Sequence, residues 1–274
     1  MSTRTGLVDL HLHSTASDGV CPPARVVTLA AAAGLAAVAL TDHETLSGLA
    51  EAAAAGERCG IEVVPGLEIS AREQETEIHI LGYYPTNYGD LENILGDLRR
   101  ERITRMEAML ARLSRAGLHI SLEAVLEEAS PGAPGRLHLA RLMRKQKMVN
   151  SLEQAFTGYL EQGKPAYVPR RTLNPLQALE LLSICGAVPV LAHPGQRGAV
   201  FLDTLAAAGL QGVEVFHPDH GNKLRDYYTN RAHKLNLLIT GGSDFHGDAD
   251  YCKRQPGSVA IAYDYLARLK ERRR

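Results

Sequence analysis

The chain has 274 residues, enough to bury a full-sized core, which excludes a peptide-sized module and fits one barrel-type domain or a domain carrying an insertion. Basic and acidic residues number 30 and 31 and leave a formal charge of -1, so no global field draws the protein to nucleic acid or membrane, and any anion site must be local. Cys21, Cys59, Cys185 and Cys252 show no paired spacing, so neither a disulfide framework nor a thiolate zinc site is expected.

The start, MSTRTGLVDL, has no long apolar segment behind its basic residue, and Gly34 breaks the alanine-rich stretch near 30–40, so the expected location is cytoplasmic, with no membrane association. LVDLHLH at 7–13 reads as a strand, and PARVVTLAAAAG, with proline near its start and glycine at its end, as a helix. AAVALTDH at 36–43 is the next strand, followed by the alanine-rich helix LSGLAEAAAAGERCG. IEVVPGLEIS at 61–70 and EIHILGYY at 77–84 read as strands. From about 90 to 168 the rhythm changes, since LENILGDLRRERITRMEAMLARLSRAG, SLEAVLEEA, RLHLARLMRKQKMV and SLEQAFTGYLEQG all have helical spacing. Strands return with AVPVLAHP at 187–194, GVEVFHP at 212–218 and LNLLITGGSDFH at 235–246. Strand and helix alternate as in parallel α/β folds, so the expected architecture is a barrel formed by 1–95 and 168–274 with a helical insertion over 96–167. The closing RLKERRR reads as a solvated helix end.

Metal-ligand residue types end nearly every proposed strand. His11 and His13 end the first, His43 the second and Glu68 the third; His79 lies in the fourth, His193 ends the fifth, and Asp244 and His246 end the last. In a barrel of parallel strands such ends meet on one face, and residues two apart on a strand share a side. Together with Asp18 this makes six histidines and three carboxylates, more than one zinc ion takes, and a set suited to two or three divalent ions with a bridging carboxylate. A nitrogen and oxygen set without thiolate fits Mn, Zn or Fe. Ions so arranged suit phosphate ester hydrolysis by a bridging hydroxide, with no separate protein nucleophile. Asp42, beside His43, is read as an orienting group or proton carrier, and His119 and His233 as structural.

HLH followed by Asp18, then TDHETLSG, PGLEIS, HILGYY, LAHPG and GGSDFHG resemble the successive motifs of the PHP (polymerase and histidinol phosphatase) family, over 7–84 and 187–247. The resemblance implies a distorted (β/α)7 TIM-like barrel, with all nine ligand positions filled in order. It implies that His11, His13, Glu68 and Asp244 hold one ion, that Glu68 bridges to a second held by His79 and His193, and that Asp18, His43 and His246 hold a third. Asp18 stands where some relatives have histidine. Asp42, His43 and Glu68 are then the expected catalytic group, with manganese the first expectation for the metal.

For substrate, GRLHLARLM and GKPAYVPRR place Arg136, His138, Lys164, Tyr167, Arg170 and Arg171 where the insertion leaves and rejoins the barrel, and Arg197 follows His193 in HPGQRG. Basic groups there can clamp a second phosphate. The pattern is similar to that of the stand-alone PHP subgroup that removes the 3′-phosphate of 3′,5′-bisphosphonucleotides such as pAp and trims short RNA from the 5′ end. Arg136, His138, Lys164, Tyr167, Arg197 and His217 are the expected substrate contacts, His217 with His220 as a neighbour of the site. The expected partner is a small nucleotide or short RNA, with no obligate protein partner. The competing readings are histidinol phosphate phosphatase or another small-molecule phosphatase, with no evident need of the insertion; the proofreading exonuclease of a bacterial polymerase, normally one domain of a far longer chain; and a non-catalytic structural module, expected to have lost ligands.

Overall fold

A computed structural model describes residues 5–74, 76–169, 173–248 and 254–273. Among these, eight strands form one sheet: β1 (Leu7–Leu12), β2 (Ala37–Leu40), β3 (Glu62–Glu73), β4 (Thr76–Tyr83), β5 (Val188–Ala192), β6 (Gly212–Phe216), β7 (Leu238–Gly241) and β8 (Ile261–Ala262). Their order is β7-β6-β5-β4-β3-β2-β1-β8. The sheet curls until the segment after β7 meets β1, where His13 N donates to Phe245 O at 2.9 Å and Asp244 N to His11 O at 2.9 Å. The result is a nearly closed α/β barrel. Gly242 permits this closure, because a Cβ there would come within 2.5 Å of His11. Buried Asp9 pins the same seam by accepting from Ser243 N and Gly257 N, both at 2.9 Å.

The expectation of uniformly parallel strands fails at β4 and at the two-residue β8, which pairs antiparallel with β1. β4 runs antiparallel to both β3 and β5. Only two residues separate β3 from β4, too few for the crossover that a parallel neighbour needs, so the pair is a hairpin. His79 therefore does not end its strand. It lies in the first half of β4, paired with Ser70 and Ala192, and the reversed direction still brings it to the face where the other strands end.

Helices α1 (Pro23–Ala32) and α2 (Leu49–Cys59) cover β1 to β3, α1 opening on a proline and α2 stopping at left-handed Gly60. Inside the barrel Leu10, Ala39, Val64, Leu81, Tyr83 and Val190 form the core. The helical segment consists of α3 (Tyr88–Arg115), α4 (Leu122–Ala129), α5 (Arg136–Lys145), α6 (Leu152–Ala155) and a π-turn over Phe156–Leu160. It packs a core of its own, including Met109, Leu113, Val125, Leu139, Met143 and Leu160. Arg99, Arg102 and Arg105 fall at spacings of three on α3 and so share a face. That face meets the barrel: Arg102 Nε donates to Glu44 Oε2 at 2.7 Å and Arg105 Nε to Val168 O at 2.8 Å. Helix α7 (Pro175–Ile184), capped by Asn174, then leads into β5. Among the described residues no helix is long and apolar enough to cross a membrane.

Candidate metal centre

All nine side chains expected to bind metal meet at one end of the barrel. Glu68, on β3 and 1% exposed, occupies the centre. Its Oε1 lies 2.8 Å from His79 Nδ1 and 3.0 Å from His193 Nε2. Its Oε2 lies 3.3 Å from His11 Nε2, 3.2 Å from His13 Nε2 and 3.5 Å from His43 Nδ1. Asp244 adds Oδ1 at 3.5 Å from His11 Nε2 and 3.4 Å from His13 Nε2. On the outer side Asp18 Oδ1 stands 3.3 Å from His246 Nε2, and its Oδ2 stands 3.8 Å from His43 Nε2. Glu44, His193 and Asp244 hold positive φ angles of 47°, 22° and 50°, so the backbone is strained where the strands deliver these groups.

These separations fit cations. Two ligand atoms each about 2.0–2.2 Å from one ion are roughly 3.0–3.6 Å apart, the range of most of the distances above, while the two contacts of Glu68 Oε1 with His79 and His193 are also of hydrogen-bond length. Buried His13 Nδ1 and His43 Nδ1 have no hydrogen-bond partner among the described residues. The nearest carboxylate oxygens are Asp18 Oδ1 at 3.7 Å and Glu68 Oε2 at 3.5 Å. Four groups converge closely enough to hold an ion: His13 with Asp18, His43 and His246; His11 with His13 and Glu68; His43 with Glu68 and His79; and His11 with His193 and Glu214.

Charge balance without metal falls to protons. Burial opposes ionisation of Glu68, Asp18 and Asp244, yet the surrounding imidazoles hold all three well below the usual carboxylate range. Burial also opposes charge on His13 and His79, but contacts with Asp244 and Glu68 raise His13 to about 10, and Glu68 and Glu77 raise His79 to about 10. Burial prevails at His43, lowered to about 3, which keeps its lone pair free.

Glu214, a carboxylate not anticipated from the sequence, braces the centre from behind. It accepts from His11 Nδ1 at 3.1 Å and from His193 N at 2.8 Å. A carboxylate on Nδ1 of His11 fixes the proton there and turns Nε2 toward Glu68. Its signal was a lone acid between valines in a strand buried on both sides. Asp42 does not join the cluster. Its oxygens accept from Ser14 N at 2.7 Å, Ser14 Oγ at 2.6 Å and Ser17 Oγ at 2.6 Å, so it pins the loop that presents Asp18.

The expected substrate contacts separate into two sets. Arg136, Tyr167 and Arg197 line a cleft of about 1170 Å³, and Arg136 Nη2 donates to Glu77 Oε2 at 2.8 Å. Exposed Lys164 follows Gly163 of the cleft wall, and Tyr167 accepts from Arg72 Nη1 at 2.6 Å. A smaller pocket shares Glu77 and Arg136 and reaches Asp18, His43 and His79, with Arg102 and Arg105 on its wall. His138 and His217 are not on the cleft surface. His138 is buried in α5 and its Nδ1 accepts from Gly135 N at 3.0 Å. His217 accepts from Asp219 N on Nδ1 at 3.1 Å, so its Nε2 carries the proton and faces Asp244 Oδ2 at 3.4 Å. His220 braces the turn after β5, accepting from Gly195 N at 3.1 Å. Arg170, Arg171 and Cys252 lie outside the described residues.

The PHP domain model matches residues 9–169. The chain is 34% identical to a 3′,5′-nucleoside bisphosphate phosphatase of Chromobacterium violaceum, over 89% of this chain and 88% of the relative. It is 31% identical to a 5′-3′ exoribonuclease of Haemophilus influenzae, over 87% of this chain and 89% of the relative. It is 33% identical to a phosphoribosyl 1,2-cyclic phosphate 1,2-diphosphodiesterase of Eggerthella lenta, over 87% and 94%. A Bifidobacterium adolescentis protein of solved structure, classed as a metal-dependent phosphoesterase, superposes with a TM-score of 0.89 at 28% identity, covering 97% of this chain and 96% of that one. The motifs, the barrel and the ligand cluster thus converge on one assignment: the chain belongs to the PHP family and is a metal-dependent phosphoric ester hydrolase.

Proposed function

We propose that the protein removes the 3′-phosphate of 3′,5′-bisphosphonucleotides, converting pAp to AMP, and trims short RNA from its 5′ end. The observation that carries this reading is the division of Glu68, whose Oε1 faces His79 and His193 while Oε2 faces His11 and His13. Two or three divalent ions, manganese first among them, fit His11, His13, Asp18, His43, Glu68, His79, His193, Asp244 and His246. When bound, such ions supply Lewis-acid activation of a water nucleophile and charge neutralisation at the phosphoryl group.

The residues around the centre do the rest. Asp42 holds the Asp18 loop, and Glu214 orients His11 and His193. Arg136 and Arg197 line the cleft beyond His79 and supply charge for the phosphate that is not cut, with Lys164 at its rim. A cleft of about 1170 Å³ exceeds what one nucleotide fills, which favours RNA ends as additional substrates. The helical segment over 96–167 serves as a cap over this cleft.

Kinetics on paired substrates test the assignment. Alanine at Arg136 or Lys164 is expected to lower kcat/KM for pAp by roughly 10- to 1000-fold, the scale of a lost charge-assisted contact. The loss on 3′-AMP, which lacks the second phosphate, is expected to be much smaller. Equal losses on both substrates contradict the bisphosphonucleotide reading.

A further inference from the structure

The helical segment does not touch all parts of the ligand cluster equally. Asp18, His43 and His246, grouped with His13, stand on loops that are held by side chains of the helices. Arg141 of α5 grips both oxygens of Asp248, Nε to Oδ1 at 2.9 Å and Nη2 to Oδ2 at 2.6 Å. The same Nη2 donates to the backbone carbonyl of Asp18 at 2.7 Å. Asp248 lies two residues beyond His246, so one guanidinium fixes the loops of two ligands. The loop of the third is held from α3, where Arg99 Nη1 donates to Glu44 O at 2.7 Å and Arg102 Nε to Glu44 Oε2 at 2.7 Å, next to His43.

The approach between the two parts is close. A Cβ at Gly132, just before α5, would come 2.3 Å from Ser17 O in the loop that carries Asp18. Arg141, Asp248, Arg102 and Glu44 are all buried, so removing one partner of either pair leaves a charge without its counterion. His11, Glu68 and His193 are held differently. His11 lies near the end of β1, Glu68 in the middle of β3 and His193 just after β5, and Glu214 of β6 ties His11 and His193 together.

We propose that the Asp18, His43 and His246 ion site is assembled by the docked helices, with Arg141 as the positioning residue, whereas His11, Glu68 and His193 are held in place by the barrel strands. This inference rests on the metal reading above and deepens it. Filling the outer site and docking α5 are then linked equilibria, and each favours the other by the same factor. The protein completes its metal set only when the cap is seated beside the cleft that Arg136 and Glu77 line.

The test titrates the metal-free full-length protein with manganese(II), counting bound ions by mass spectrometry after ultrafiltration. The variants are Arg141→Gln, Asp248→Asn and their combination. The wild type is expected to bind a tight set and one weaker ion. In either single variant the weaker ion is expected to dissociate about 10- to 100-fold more readily, the scale for removal of a group that orients ligands, while the tight ions are unchanged. The double variant is expected to be no weaker than the worse single one. Hydrogen exchange on the wild type supplies a second arm that needs no variant: backbone protection over 136–145 is expected to rise as the last ion binds. Unchanged affinities in folded variants, equal losses at every ion, a wild type that saturates at two ions, or exchange over 136–145 indifferent to the last ion would each overturn the inference. A wild type that binds no ion contradicts the metal reading itself.

Discussion

Glu214 accepts a hydrogen bond from Nδ1 of His11 at 3.1 Å, at the back of the ring whose Nε2 faces Glu68. Its other oxygen receives the backbone N–H of His193 at 2.8 Å, so one buried carboxylate aligns two candidate ligands from different strands. Glu214→Gln removes the charge and leaves an amide that cannot accept on both sides. Ion affinity is expected to fall about 10- to 100-fold with the fold retained. A calorimetric titration with manganese checks this, and an unaltered affinity contradicts the bracing role.

Ion loading is expected to release protons. His13 and His79 are raised to about 10 by the carboxylates they face, despite burial, so both carry protons at neutral pH in the metal-free protein. Those protons must leave before the nitrogens can ligate, and apparent affinity therefore rises with pH below about 10. Titrations in buffers of different ionisation enthalpy count the protons released. Zero release at pH 7 contradicts this account of the charge balance.

Acid is expected to loosen the cap. Burial lowers His138 to about 4. Its folded pKa lies below the ordinary 6.5, so the unfolded chain takes the proton first. The stability tied to neutral His138 is present above pH 6.5 and is lost as pH falls from there toward 4. The loss is roughly 2 kcal/mol by pH 5. Urea melts of the metal-free protein at pH 7 and pH 5 measure it. The difference between the two is expected to shrink by that amount in His138→Asn.

Much of this site can be read from the sequence because its signal is local. His11 and His13 are two residues apart on an apolar strand, and so must share a side whatever the rest of the chain does. Asp244 and His246 reach the cluster in another way, from the loop after β7, where Asp244 takes a left-handed φ of 50°. Direction is harder to read: His79 sits in a run as apolar as its neighbours, and only the short β3–β4 connection shows that its strand is reversed. What the α3 arginines meet is not legible, since spacing identifies the face of a helix but not what covers it. Arg141 and Asp248 are 107 residues apart, and nothing in either local pattern announces their pairing. His138 and His217, expected as substrate contacts, are buried. Their Nδ1 atoms accept from the backbone N–H of Gly135 and of Asp219.

The central claim is that Glu68 joins ions into one hydrolytic centre. The direct measurement is phosphate release from pAp by metal-stripped protein as manganese is restored, with bound ions counted at each step, for the wild type and for Glu68→Gln. Wild-type activity is expected to appear only once a second ion is bound. Glu68→Gln, folded and given the same manganese, is expected to hold fewer ions and to lose at least about 1000-fold in kcat, since the bridging charge is gone. A Glu68→Gln protein with the full ion count and wild-type turnover would contradict the account.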